Sequence, residues 1–279
     1  MLTAPELKTL LAARRLRLTK RLGQHHLVDS ATAQRVVAAG GLSPETTVVE
    51  IGAGLGALTE PLAAVAGRVI AVEVDRPIAA LLAERMQPHR NVTVVCQDIL
   101  TYDWVPAAAA GPVWVVGAIP YHITSPILVA LSEHRAHIAG AVLVLQDEVA
   151  RRLIARPGTK AYGRLSVLAQ YGWELTAVFP VSRRAFFPQP AVDSACLRLL
   201  PRRQPAVAVV DQAAFFEVVK AAFAHRRKTL ANCLNDTCIG GRTVRGAAEL
   251  VRSLGWPAAV RGETLSLEQF AALANRLAA

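Results

Sequence analysis

No stretch of this 279-residue chain approaches the roughly 20 apolar residues that a membrane-spanning helix requires, so no such helix is expected. The apolar core of a secretory signal is also missing, because LLAA (10–13) runs at once into the basic RRLRLTKR (14–21). Cysteine is scarce, and Cys96, Cys196, Cys233 and Cys238 are too scattered for a zinc site or a disulfide framework. Free thiols in a reducing cytoplasm are the simpler expectation, with no metal ligand set. Internal repeats and low-complexity tracts are absent. Acidic side chains are in deficit: 21 Asp and Glu face 31 Lys and Arg, and the formal charge of +10 points to a polyanionic partner, nucleic acid first.

What is present is apolar and alternating. Hydrophobic residues make up 53% of the chain, enough for a large core and too many for global disorder. TTVVEIG (46–52), RVIAVEV (68–74), NVTVVCQ (91–97), VWVVG (113–117) and AGAVLVLQ (139–146) are nearly continuous apolar runs. Such runs are typical of strands buried on both faces of a parallel sheet. Helical patterns lie between them, as in ALTEPLAAVA (57–66) and RPIAALLAERMQ (76–87). GWELTAVFPV (172–181) and VDSACLRLLP (192–201) read as two further strands, antiparallel at the sheet edge. After Pro201 the segment RRQPAVAVVD reads as a linker, and helical spacing follows in QAAFFEVVKAAFAHRRKTLANCL (212–234) and SLEQFAALANRLAA (266–279). The expected organisation is a Rossmann-like α/β domain over 1–201, with a basic N-terminal arm, and a small all-helical domain over 206–279.

The segment VVEIGAGLGALTEPLA joins a strand, a glycine turn and a helix. Gly52, Gly54 and Gly56 allow a sharp turn and close approach of a ligand to the backbone, and the helix start behind them presents unpaired N–H groups. One strand later Glu73 stands where a carboxylate suits the two hydroxyls of a ribose. That pattern alone is shared by nicotinamide dehydrogenases and S-adenosylmethionine (AdoMet) methyltransferases. The balance falls to AdoMet for two reasons. Glu50, just before the first glycine, would repel a pyrophosphate but suits a cationic amino-acid group, and the G-x-G-x-G spacing lacks the third glycine of the dinucleotide fingerprint. Asp98, closing the third strand, is placed to accept from an adenine amino group.

From about residue 18 onward the chain resembles the KsgA/Erm family of rRNA adenine N6-methyltransferases. The resemblance rests on KRLGQHHLVD (20–29), the glycine-loop segment, VIAVEVD (69–75), QDIL (97–100), GAIPYHITSPIL (117–128), KAYGRLSVLAQ (160–170), AFFPQPAVDSACLRL (185–199) and AAFAHRRKTLANCL (221–234). It implies an AdoMet-dependent fold with a seven-stranded, mostly parallel sheet. It also implies cofactor contacts from Gln24, His25 and Leu27, with Gly52 as first loop glycine, Glu73 on ribose and Asp98 on adenine. The KAYGRLSV block is most like the KsgA branch, which dimethylates two adjacent adenosines near the 3′ end of small-subunit rRNA. The large-subunit Erm branch is the near alternative. Two departures stand out: His25-His26 replaces the usual Asn-Phe, and Ala118 replaces the motif asparagine where cofactor and target base meet.

The reaction so implied methylates a nitrogen whose lone pair is delocalised into the adenine ring. The base must leave its stack, and acceptors must draw on the amino hydrogens as charge develops. Ala118 offers no side-chain acceptor, whereas the carbonyls of Ile119 and Pro120 remain; Tyr121 and Phe186 offer stacking faces. Lower activity is therefore expected, and a ribosome-assembly factor that binds without turnover is the rival reading. Basic clusters at Arg14, Arg15, Arg17, Lys20 and Arg21, at Arg151–Arg152, Arg183–Arg184 and Arg202–Arg203, and at Arg226, Arg227 and Lys228 suit an RNA backbone. The expected partner is small-subunit rRNA in a pre-30S particle, met by a cytoplasmic monomer.

Overall fold

The computed structural model describes residues 1–16, 18, 25–120, 123–225 and 227–278. Its centre is a seven-stranded sheet: β1 (Thr47–Ile51), β2 (Arg68–Glu73), β3 (Val92–Cys96), β4 (Val113–Ala118), β5 (Ile138–Gln146), β6 (Trp173–Val181) and β7 (Ser194–Pro201). The strands lie in the order β3-β2-β1-β4-β5-β7-β6. The first five pair in parallel, while β7 runs antiparallel to β5. The apolar runs therefore fold as their composition demands: β1, β2, β4 and β5 are almost wholly buried, because helices cover both faces.

The helices Thr59–Val65 and Arg76–Met86 follow β1 and β2. Asp75 caps the second of them by accepting from the backbone N–H of Ile78 at 3.3 Å. Thr3 and Glu6 close a capping box at the start of the helix Ala4–Ala13. That helix buries Leu7 and Leu11 against Leu55, Ile78 and Leu81. Backbones also approach closely near the end of β4. A Cβ on Gly117 would stand 2.7 Å from the carbonyl oxygen of Ile51 and 3.1 Å from the Ile51 side chain. Gly117→Ala should cost about 1–3 kcal/mol of stability by overpacking, read as a lower denaturation midpoint in urea.

Contacts divide the chain into two compact units, Met1–Ala150 with Glu174–Pro201, and Arg151–Trp173 with Arg202–Ala279. Residues 151–173, which the sequence places in the first domain, thus cluster with the second unit. The reason is their aromatic side chains. Tyr171 stacks on Phe215 at 5.0 Å, and the Tyr162 hydroxyl donates to the carbonyl of Leu265 at 3.0 Å. Both tyrosines belong to one core with Phe270 and Leu234. The helical run expected over 212–234 breaks after Ala222 and resumes at Leu230–Leu234, capped by Thr229. A two-residue hairpin, Cys238–Ile239 with Arg242–Thr243, joins the helices of this unit. No described helix is long and apolar enough to cross a membrane.

Candidate functional site

The C-terminal ends of β1, β2, β3 and β4 open onto one cleft, where ligands of open α/β sheets collect. The turn after β1 needs glycine: Gly52, Gly54 and Gly56 have φ of +66°, +56° and +90°, a region L side chains avoid. A Cβ on Gly52 would project to 3.8 Å from Cδ of Pro120, into the space between the loop and the end of β4. The loop thus leaves a cradle that any side chain would fill. Gly52, Gly54, Glu73 and Asp98 line the cleft, as do Ala118 and Pro120.

Glu73 ties the loop to β2. Its Oε2 accepts from the Gly54 N–H at 2.8 Å and its Oε1 from the Asp75 N–H at 3.0 Å. Burial raises its pKa above the usual carboxylate value, against the pull of these backbone donors. Asp98 is exposed and spends Oδ1 on the Leu100 N–H at 3.0 Å. Pro120, by contrast, has a carbonyl already engaged by the Ile123 N–H at 3.2 Å and the Thr124 hydroxyl at 3.4 Å. The carbonyl counted as available from the sequence is therefore committed to its own turn, which leaves that of Ile119.

Glu50 takes a different place from the one its sequence position suggests. It is 1% exposed, does not line the cleft, and accepts from the Thr59 hydroxyl at 2.6 Å. Burial pushes its pKa up to about 8; the Thr59 bond works against this, and nearby Glu73 adds to it. At neutral pH Glu50 is thus held as a neutral acid behind the loop. Its folded pKa lies above the ordinary value of 4.5, so the folded state keeps a proton that the unfolded chain releases. The resulting stability is complete below about pH 4.5 and is lost as pH rises to about 8, at up to roughly 1.4 kcal/mol per pH unit. Glu50→Gln should flatten that slope, measured by urea denaturation at pH 5.5 and 7.5.

The far wall comes from a distant pairing. His26–Leu27 pairs antiparallel with Phe186–Phe187, His26 opposite Phe187 and Leu27 opposite Phe186. This ladder brings His25, His26 and Phe186 to the cleft, while Leu27 turns into the core. His25 Nδ1 lies 2.7 Å from the Pro188 carbonyl. Phe187 faces away and carries the Lys8 ammonium over its ring at 4.9 Å. Gly56 turns its Cβ side to Leu82 and Met86 and does not line the cleft. Gln24 and Tyr121 lie outside the described residues, as do Arg17, Lys20, Arg21 and Arg226. Among the remaining basic candidates, Arg14 is held by Glu84 in a two-pronged pair of 3.2 and 2.7 Å; Arg15, Arg227 and Lys228 are exposed.

His26 and Ser194 also line the cleft, and the sequence assigns neither a contact there. Ser194 hid inside an apolar strand pattern. The signal at His26 is an imidazole beside His25, at the position where a phenylalanine is usual. Among the described residues no group of three or more His, Cys, Asp or Glu side chains could hold a metal ion. The glycine cradle, the buried Glu73 and the exposed Asp98 at successive strand ends fit a nucleoside bearing a small polar tail, which is the chemistry of AdoMet.

Comparison with known proteins agrees with this geometry. The profile of the family described as "Ribosomal RNA adenine dimethylase" matches residues 15–277. The Ribosomal RNA small subunit methyltransferase A of Geobacillus kaustophilus (strain HTA426) is 43% identical over 265 residues, covering 93% of this chain and 90% of the relative. The protein of the same name from Bacillus cereus (strain AH187) is 43% identical over 264 residues, covering 92% and 90%. Among solved structures, a dimethyladenosine transferase from Plasmodium falciparum shares the fold with a TM-score of 0.74 at 23% identity, over 89% of this chain and 96% of that one. The 23S rRNA methyltransferase ErmE matches with a TM-score of 0.67 at 32% identity, over 91% and 99%.

Proposed function

The chain belongs to the ribosomal RNA adenine dimethylase family, whose members are AdoMet-dependent rRNA methyltransferases, and on that premise we propose that it dimethylates the N6 of two adjacent adenosines near the 3′ end of small-subunit rRNA, slowly because of Ala118. The observation that carries the reading is the convergence of the glycine cradle, Glu73, Asp98 and the Ala118–Pro120 turn on one cleft. The choice of the small subunit rests on the 43% identical relatives named for it.

When bound, AdoMet supplies a methyl group made electrophilic by its sulfonium. The chain does the rest. Glu73, fixed by two backbone donors, offers its remaining lone pairs to the ribose hydroxyls. Asp98 reaches the adenine end. Phe186, 5% exposed and on the cleft wall, gives a flipped base an apolar face. The carbonyl of Ile119 accepts from the amino hydrogens, while the position for a second acceptor is held by a methyl group. Exposed Arg15, Arg227 and Lys228 provide phosphate contacts that position the RNA without reading its sequence.

The weakened-turnover reading has its own observation, the absent acceptor at position 118. The test is incubation with radiolabelled AdoMet and under-methylated small ribosomal subunits, with large-subunit RNA in parallel. Label is expected in N6-methylated adenine of the small-subunit RNA. Label confined to large-subunit RNA would overturn the substrate assignment.

A further inference from the structure

Beside the glycine loop, the His26 ring has a place that packing alone does not explain. It lies so close over Gly54 that a Cβ on that glycine would come within 2.7 Å of Nδ1 and 2.9 Å of Cε1. Its backbone is fixed by pairing with Phe187, so the ring stays over the loop and only rotation about its own side-chain torsions turns a nitrogen toward the cleft. It lines the same cleft as Gly52, Glu73 and Asp98. Nε2 is shut off from solvent and has no hydrogen-bond partner among the described residues. A buried polar atom left unpaired destabilises a fold, whereas an apolar ring of the same shape would not. The molecule carries this defect at the wall of its ligand cleft.

We infer that His26 is a hydrogen-bonding contact for the bound cofactor, completing its imidazole with a polar group of AdoMet that lies over Gly54. The inference rests on the AdoMet reading of the cleft and adds to it a residue outside the glycine, ribose and adenine positions. Burial supports it: the His26 pKa is pushed down to about 4, with His25 adding to the effect and Asp75 opposing it. The ring is therefore neutral at working pH, with one nitrogen donating and the other accepting. Its contribution is a directed hydrogen bond without charge attraction. The nearest anchor for the ligand is Glu73, whose Oε2 holds the N–H of the same Gly54 that the ring covers.

The test compares His26→Phe, which keeps the ring's shape, with His26→Gln, which keeps a donor and an acceptor. AdoMet and S-adenosylhomocysteine affinities are measured by calorimetry, and the melting temperature of each ligand-free protein is recorded. His26→Phe should bind both ligands roughly tenfold more weakly, the loss of one net hydrogen bond, while melting no lower than the parent. His26→Gln should stay within about threefold of the parent. Unchanged affinity in His26→Phe would overturn the inference. So would a parallel fall in affinity and ligand-free melting temperature, which marks a packing role. If the parent itself binds neither ligand, the cofactor reading fails first and this contact falls with it.

Discussion

Ala118→Asn should raise the methylation rate of under-methylated small subunits on the order of 10²–10³, the usual effect of one preorganised hydrogen-bonding group at a developing charge. The site is built to receive it. Ala118 ends β4 with its backbone opposite Val144, and the next residue, Ile119, donates to the Val144 carbonyl at 3.0 Å. Position 118 therefore projects into the cleft from a rigid strand end, where an added amide need not order a loop. Pro120's carbonyl is taken by Ile123 and Thr124, so in the proposed mechanism the parent is left with the Ile119 carbonyl as backbone acceptor. The gain should appear in kcat, with AdoMet affinity changed by less than about threefold, since the added group acts on the base. Single-turnover labelling measures it. Equal rates for the two proteins would mean that a different group already fills the role.

Glu73→Ala should weaken AdoMet binding on the order of 100-fold, through lost charge-assisted bonds to the ribose and a loosened loop. The side chain is 7% exposed and holds two backbone N–H groups, those of Gly54 and Asp75. Removing it leaves both donors without their acceptor and frees the turn that shapes the cradle. S-adenosylhomocysteine should weaken by the same factor, because the two ligands share the ribose. Calorimetric affinities within threefold of the parent would show that the ribose is held elsewhere.

Much of this was legible in the sequence because it is local. A strand buried on both faces announces itself in VWVVG without knowledge of its neighbours, and the glycine turn is dictated by its own φ angles. Glu73 and Asp98 fall at strand ends once the strands are marked. What was not legible depends on partners far along the chain. Arg14 reads as a free cation until Glu84, 70 positions away, is seen beside it. Glu50 reads as a counter-ion until Thr59 turns back from the next helix to bind it. The aromatic block around Tyr162 and Tyr171 lies between two strands of one unit but packs in the core of the other. No periodicity encodes these choices; they follow from which apolar surface each segment finds to bury.

The strand order β3-β2-β1-β4-β5-β7-β6 has a consequence for how the chain is made. Synthesis proceeds from the N-terminus, yet β7, the last strand of this sheet to be translated, fills the slot between β5 and β6. Until residue 201 has emerged from the ribosome, β5 presents an unpaired backbone edge along Ile138–Gln146, one of the most apolar stretches in the chain. Such an edge is a template for wrong pairing. A nascent chain stalled before β7 should therefore be sticky and a target for chaperones, and the risk closes only when β7 slides into place between β5 and β6.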